Sequence, residues 1–147
     1  FAMSFVNNSN DVKEIRKLIG NDFLISKIET LNALKNLKNI SKTSNALLID
    51  RGDLSRYISI EKIPIIQEDI SIFAKSKNKP LYVATNLLET MVKDNLPSRA
   101  ESHDIYSTLK QGVSGLVLAA ETAIGKDPVN CAKFLKNCIK VFNNKQR

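Results

Sequence analysis

Ala46-Leu47-Leu48-Ile49-Asp50-Arg51-Gly52-Asp53 is the stretch on which the fold turns. Four apolar residues run without alternation, as expected of a strand buried on both faces of a parallel sheet. Charge then arrives at once where the strand stops. The same grammar recurs along the chain. Phe1–Val6 reads as a short strand, Phe23-Leu24-Ile25 opens one that ends at Lys27-Ile28-Glu29, and Leu81–Ala84 and Gly115–Leu118 are two more. Each is followed by one or more polar residues: Ser4, Lys27 and Glu29, Asp50 and Asp53, Thr85, and Glu121.

Helical periodicity fills the intervals. Val12, Ile15, Leu18 and Ile19 follow the turn residues Asn7 to Asn10, and Gly20 closes that helix. Leu31, Leu34, Leu37 and Ile40 predict the inner stripe of a second helix. Arg51 to Pro64 reads as a longer connection before a stripe of Ile66, Ile70 and Phe73. A short helix over Leu87–Val92, one through Ile105 and Leu109 to Gly112, and a last one from Pro128 to Phe142 complete the alternation. Parallel strands joined by helices give an open doubly wound sheet or a closed barrel. The polar residues favour the barrel, because there all C-terminal strand ends converge on one mouth, whereas the far ends of an open sheet stand too far apart. The fold expected is α/β, a partial (β/α)8 barrel of about five strands in a single domain over 1–147. Five strands do not close such a barrel alone.

Composition narrows the function. No apolar run approaches the roughly 18–20 residues that span a bilayer, and the N-terminus lacks a signal peptide's basic and apolar regions, so a cytoplasmic, membrane-free protein is expected. The net charge of +7 could attract phosphate. However, the lysines are spread over every helix and aromatics make up 6% of residues, unlike the stacking surfaces that read nucleic acid. No nucleic-acid partner is expected. Cys131 and Cys138 sit seven apart on one helix, roughly 10 Å along its axis, too far for a disulfide, and read as plain buried thiols. His103 is the single histidine. It reads as a surface residue, so no histidine-based metal cluster can form.

On a strand, Lys27 and Glu29 share a face with Ile28 opposite, and a lysine aimed into an apolar core is costly unless paired. Gly52 permits close backbone approach, and Asp53 stands where a helix could begin and its amides hold an anion. Glu29 and Asp53 together suit Mg²⁺, which takes one or two carboxylates and completes its octahedron with water and substrate oxygens. Lys27 would then neutralise a transferring phosphoryl group or an enolate. Blander readings stand beside this one: a simple Lys27–Glu29 ion pair, an ordinary strand threonine at Thr85, and an adhesion tripeptide at Arg51-Gly52-Asp53.

Read in order, Ser4-Phe5-Val6, Ser26-Lys27-Ile28-Glu29, Arg51-Gly52-Asp53-Leu54, Ile63-Pro64-Ile65-Ile66-Gln67, Lys79-Pro80, Ala84-Thr85-Asn86-Leu87-Leu88-Glu89-Thr90-Met91, Pro97-Ser98-Arg99-Ala100-Glu101 and Glu121-Thr122-Ala123-Ile124-Gly125 resemble successive motifs of the pyruvate kinase family. The resemblance implies the fourth to eighth strands of a TIM-barrel catalytic domain. The implied activity is the glycolytic phosphoryl transfer between phosphoenolpyruvate and ADP. It places Mg²⁺, or Mn²⁺ in its stead, on Glu29 and Asp53, and Lys27 beside the transferring phosphoryl group. Thr85 would lie by the enolpyruvate methylene, and the Gly52 and Asp53 amides would hold the substrate carboxylate. Lys27 and Thr85 are thus the catalytic candidates, and phosphoenolpyruvate or pyruvate the small-molecule partner.

Departures from the family pattern are equally specific. Asp50 stands where the family has alanine, Ser55-Arg56-Tyr57 where a glycine follows Asp53-Leu54, Asn86-Leu87 for Gln-Met, and Ala119-Ala120 for Ser-Gly. The family's first three strands, which carry its phosphate-gripping arginine and most K⁺ ligands, are not in this sequence, and nor are its lid and regulatory domains. A bound K⁺ and the ADP or ATP half of the site are therefore expected less than the Mg²⁺ and enolpyruvate half. The chain alone is expected to be inactive, and to self-associate or belong to a longer parent chain. The rival expectation is a degenerate, non-catalytic domain kept for small-acid binding or assembly.

Overall fold

The computed structural model describes residues 1–145. Five strands, β1 (Ala2–Met3), β2 (Ile25–Ile28), β3 (Ala46–Asp50), β4 (Leu81–Ala84) and β5 (Gly115–Val117), form one parallel sheet in the order β1-β2-β3-β4-β5. A doubly wound sheet reverses its strand order at a switch point. Here every strand pairs with its neighbour in the chain, the order of a barrel wall, and the sheet is left open.

The helices are α1 (Ser9–Ile19), α2 (Leu31–Lys35), α3 (Leu37–Thr43), α4 (Arg51–Leu54), α5 (Ile63–Ser76), α6 (Arg99–Lys110), α7 (Ala120–Ala123) and α8 (Pro128–Lys145). Register explains how they cover the sheet. One row across the strands is Ile28, Ile49, Val83 and Leu116, and its side chains pack with Val12, Ile40, Leu54, Ile63 and Ile70 of the helices. The adjacent row, Lys27, Leu48, Tyr82 and Gly115, points to the opposite face. There the Tyr82 ring lies so close over Gly115 that an added Cβ would fall 2.9 Å from two ring carbons. A second, smaller core gathers Leu87, Leu88, Met91, Ile105, Cys131 and Leu135 beneath α8. Cys131 is buried and Cys138 partly so, both as free thiols, and His103 is exposed.

Some elements depart from the sequence pattern: the connection expected from Arg51 to Pro64 holds α4, a 3₁₀ turn at Ile60–Lys62 and the start of α5, and the short helix expected over Leu87–Val92 is a 3₁₀ turn at Glu89–Val92. Two more do so for local reasons. β1 ends at Met3 rather than Val6 because Phe5 takes a left-handed backbone (φ 53°) and gives its N–H to Glu29 Oε2 at 2.5 Å instead of to a strand. The stripe from Leu31 to Ile40 is broken at Asn36, whose side chain donates to Asn7 O and Asn32 O at 2.9 and 3.1 Å. Helix starts are legible: Asn8 with Asp11, and Ser98 with Glu101, are reciprocal capping boxes.

The end of β4 needs support. Thr85 (φ 68°) and Asn86 (φ 53°) both occupy left-handed backbone, which a β-branched residue adopts only under constraint. Arg51, itself 9% exposed, supplies the constraint. Its Nε and Nη2 donate to Thr85 O at 3.0 and 2.7 Å, Nη2 also reaches Asn86 O at 2.9 Å, and Nη1 bridges both oxygens of Asp104 at 3.0 and 2.8 Å.

Two stability predictions follow from this packing. Arg51→Lys keeps the charge but loses the planar fork, and should cost roughly 1.5–3 kcal/mol in urea unfolding, the worth of charged hydrogen bonds at a site of this kind. Gly125→Ala would drive a Cβ to 2.1 Å from the Glu121 carbonyl oxygen, a backbone atom that cannot swing aside. It should cost about 1–3 kcal/mol in the same assay, as overpacking does.

Candidate active site at the strand ends

The C-terminal ends of β1 to β4 bring their polar residues together. Lys27 is the centre. Its ammonium lies 2.6 Å from Glu29 Oε1 and 3.0 Å from Asp50 Oδ2, and it donates to Ser4 Oγ at 3.4 Å. Lys27 and Glu29 do share a face, and β3 adds Asp50 from the next strand. Burial lowers the Lys27 pKa, but hydrogen bonds and Coulomb attraction from Glu29 and Asp50 outweigh it. The pKa therefore lies above the ordinary lysine value, and the group is cationic at neutral pH.

Glu29 is wholly buried. Oε2 accepts the Phe5 amide, while Oε1 meets the Lys27 ammonium at 2.6 Å. Asp50 is also buried, and its Oδ1 accepts from Thr85 Oγ1 at 3.1 Å and, more weakly, from the Asp53 amide at 3.4 Å as the N-cap of α4. Asp53 is half-buried, with the exposed Arg56 guanidinium 3.5 Å away. One carboxylate oxygen each of Glu29, Asp50 and Asp53 lie within 4.8 Å of one another.

Thr85 closes the arrangement. Its Oγ1 accepts the Gly52 amide at 2.8 Å. Both amides expected to receive a substrate carboxylate are thus engaged within the protein, Gly52 by Thr85 and Asp53 by Asp50. Gly52 and Thr85 also line a cleft of about 200 Å³ with Asn86, Ala119 and Glu121. Within it Glu121 is committed to structure: its carboxylate, 2% exposed, accepts the Leu88 and Ala119 amides at 3.3 and 3.0 Å. An adjoining cleft of about 400 Å³ runs past Arg51, Ser55, Ile60, Pro64, Asn86 and Asp104.

The donor set fits a hard divalent cation. All its ligand atoms are carboxylate oxygens, the kind Mg²⁺ selects, and one from each of three residues lies within 4.8 Å of the others. Asp50, singled out in the sequence as a strand-end residue and as a departure from the family's alanine, also pairs with Lys27. Among the described residues, one contributor escaped the sequence reading. Asp104, which anchors Arg51, carries no sequence signal, since the contact spans 53 positions.

Comparison with known proteins bears on the family and the fold. The pyruvate kinase barrel domain matches residues 1–132. A pyruvate kinase of Thermotoga maritima is 42% identical over 99% of this chain, one of Methanocaldococcus jannaschii 40% over 95%, and plastidial pyruvate kinase 2 of Arabidopsis thaliana 38% over 90%. The chain spans between 24% and 32% of the length of these three relatives. With an α/β wall of consecutive parallel strands and this match along nearly its whole length, the chain belongs to the pyruvate kinase family.

Proposed function

We propose that the chain carries the Mg²⁺ and enolpyruvate half of a pyruvate kinase-type site, acting in the cytoplasm in phosphoryl transfer between phosphoenolpyruvate and ADP. The observation that carries this reading is the Lys27 ammonium held against Glu29 and Asp50, with Asp53 and Thr85 beside them. Glu29 and Asp53 would hold Mg²⁺ or Mn²⁺, whose chemistry is to polarise the carbonyl oxygen and offset developing negative charge. Lys27 supplies a second, fixed positive charge for the phosphoryl group or for an enolate, and its raised pKa keeps that charge in place. Thr85 Oγ1, within 3.1 Å of Asp50, is a hydroxyl through which a proton could pass to the substrate methylene. The Gly52 and Asp53 amides would turn to the substrate carboxylate when Thr85 and Asp50 release them.

Those engaged amides favour one rival reading, a degenerate domain that binds a small acid or assembles with other chains without turnover. The two readings part on a less demanding half-reaction. Phosphoryl transfer needs the phosphate held from both sides, whereas exchange of pyruvate methyl protons needs only the polarised carbonyl, the lysine charge and a proton relay. The isolated chain should show no kinase turnover but should exchange pyruvate methyl protons with deuterated water by NMR, dependent on Mg²⁺. Lys27→Met should abolish it. Absence of exchange in the parent chain, with the missing strands supplied in trans, would leave the degenerate domain.

Assembly is the second expectation. β1 and β5 are edges with unpaired backbone groups, and Phe1, Phe5 and Phe23 are about half or more exposed near the first of them. The isolated chain should run as a dimer or larger in light scattering, and Lys or Asp at Phe1 and Phe23 should shift it to monomer.

A further inference from the structure

The charge balance at the strand ends does not close within the chain. Glu29 and Asp50 are both buried and share one cation, Lys27. Asp53 adds a third negative charge, faced among the described residues by an Arg56 side chain that is 72% exposed and so well screened. Glu29 Oε1 has the Lys27 ammonium at 2.6 Å as its partner. Leaving Arg56 aside, three carboxylates and one ammonium give a net charge of −2, with Glu29 wholly buried, Asp50 nearly so and Asp53 partly open to water. That residue charge matches one divalent cation.

We infer that Asp50 is a third carboxylate ligand of the divalent cation, so that this chain takes up the metal before and without an anionic substrate. The inference rests on the Mg²⁺ reading above and adds to it a residue that stands where the family has alanine. A site with two carboxylates and a lysine carries a net charge of −1, and a cation there completes its shell with water and substrate oxygens. Replacing an apolar side chain by Asp50 supplies one further charged ligand from the protein. Its reach is given by the oxygen of Asp50 lying within 4.8 Å of oxygens of Glu29 and Asp53. Its Oδ1 lies 3.1 Å from Thr85 Oγ1, whose hydroxyl is shared with Ala84 O, and 3.4 Å from the Asp53 amide, while Oδ2 faces Lys27 at 3.0 Å. Lys27 must then leave the Glu29–Asp50 pair when the cation enters, which frees the ammonium for the phosphoryl group.

The test is a Mn²⁺ titration of the full chain by electron paramagnetic resonance, without any oxalate or substrate. Water-proton relaxation in the same samples counts the waters left on the ion. The parent chain should bind Mn²⁺ with oxalate adding little. Asp50→Ala and the near-isosteric Asp50→Asn should each weaken substrate-free binding about tenfold or more. In Asp50→Ala one further water should appear on the ion, and oxalate should restore much of the lost affinity. Thermal melts identify a variant that fails to fold, and Asp50→Asn, which preserves shape, then decides. Equal Mn²⁺ binding by Asp50→Asn and the parent, with loss in Asp53→Asn, overturns the third ligand and leaves the two-carboxylate site standing. No binding by the parent chain overturns both.

Discussion

A lysine ammonium placed between two buried carboxylates is the constraint around which the strand ends are organised. Lys27 bridges Glu29 and Asp50, both buried, and a buried charge left without a partner costs several kcal/mol. The group also ties the wall together. Ser4 and the Phe5 amide come from the turn after β1, Lys27 and Glu29 from β2, Asp50 from β3, and Thr85 follows β4. Four consecutive strand ends are therefore held in register by charge and hydrogen bonds as well as by the backbone ladder. β1 stops early for this reason: its outgoing amide serves a carboxylate.

Arg51 divides the labour differently from what its neighbours suggest. It stands beside Gly52 and Asp53, yet its guanidinium faces away from the carboxylates and grips the two carbonyls of the left-handed turn after β4. The strain at Thr85 is thus sustained by an ion pair to a different helix, through Asp104 of α6. The threonine hydroxyl is aimed at Asp50 and Gly52 only because its backbone is held in this uncommon region. The placing of the Thr85 hydroxyl therefore depends on a contact outside the smaller cleft, at the wall of the adjoining one.

How much was legible in the sequence follows from the range of each interaction. β4 is predicted at Leu81–Ala84 and found there, because an unalternating apolar run between Pro80 and a polar turn has few alternatives. Lys27 and Glu29 are found on one face because strand periodicity is a local rule. The turn at Asn36 was hidden, since every-third-residue apolar spacing continues across it and the interruption comes from Asn7, far back in the chain. Asp50 is named in the sequence as a strand-end residue and as a departure from the family's alanine, but its contacts with Lys27, Thr85 and Asp53 depend on three elements meeting. Glu121 stood in a strand-end position like the others, yet it is spent on two backbone amides. Position alone did not tell a ligand from a brace.

The brace has a dynamic consequence. Glu121, Leu87, Leu88, Met91, Ile105 of α6 and residues of α8 form a body with its own small core, while the contacts of Lys27, Glu29 and Asp50 among the described residues involve positions 4 to 85. A smaller core is the kind of unit that opens sub-globally at less free energy than a larger one. Its opening would withdraw Glu121 and Ala119 from one wall of the cleft and, because Asp104 stands beside Ile105 on α6, would also loosen the Arg51 grip on Thr85. The rim of the cleft that includes Gly52 and Thr85 thus rests on the part of the molecule with the smaller core, which couples the width of the cleft to the hold on the threonine.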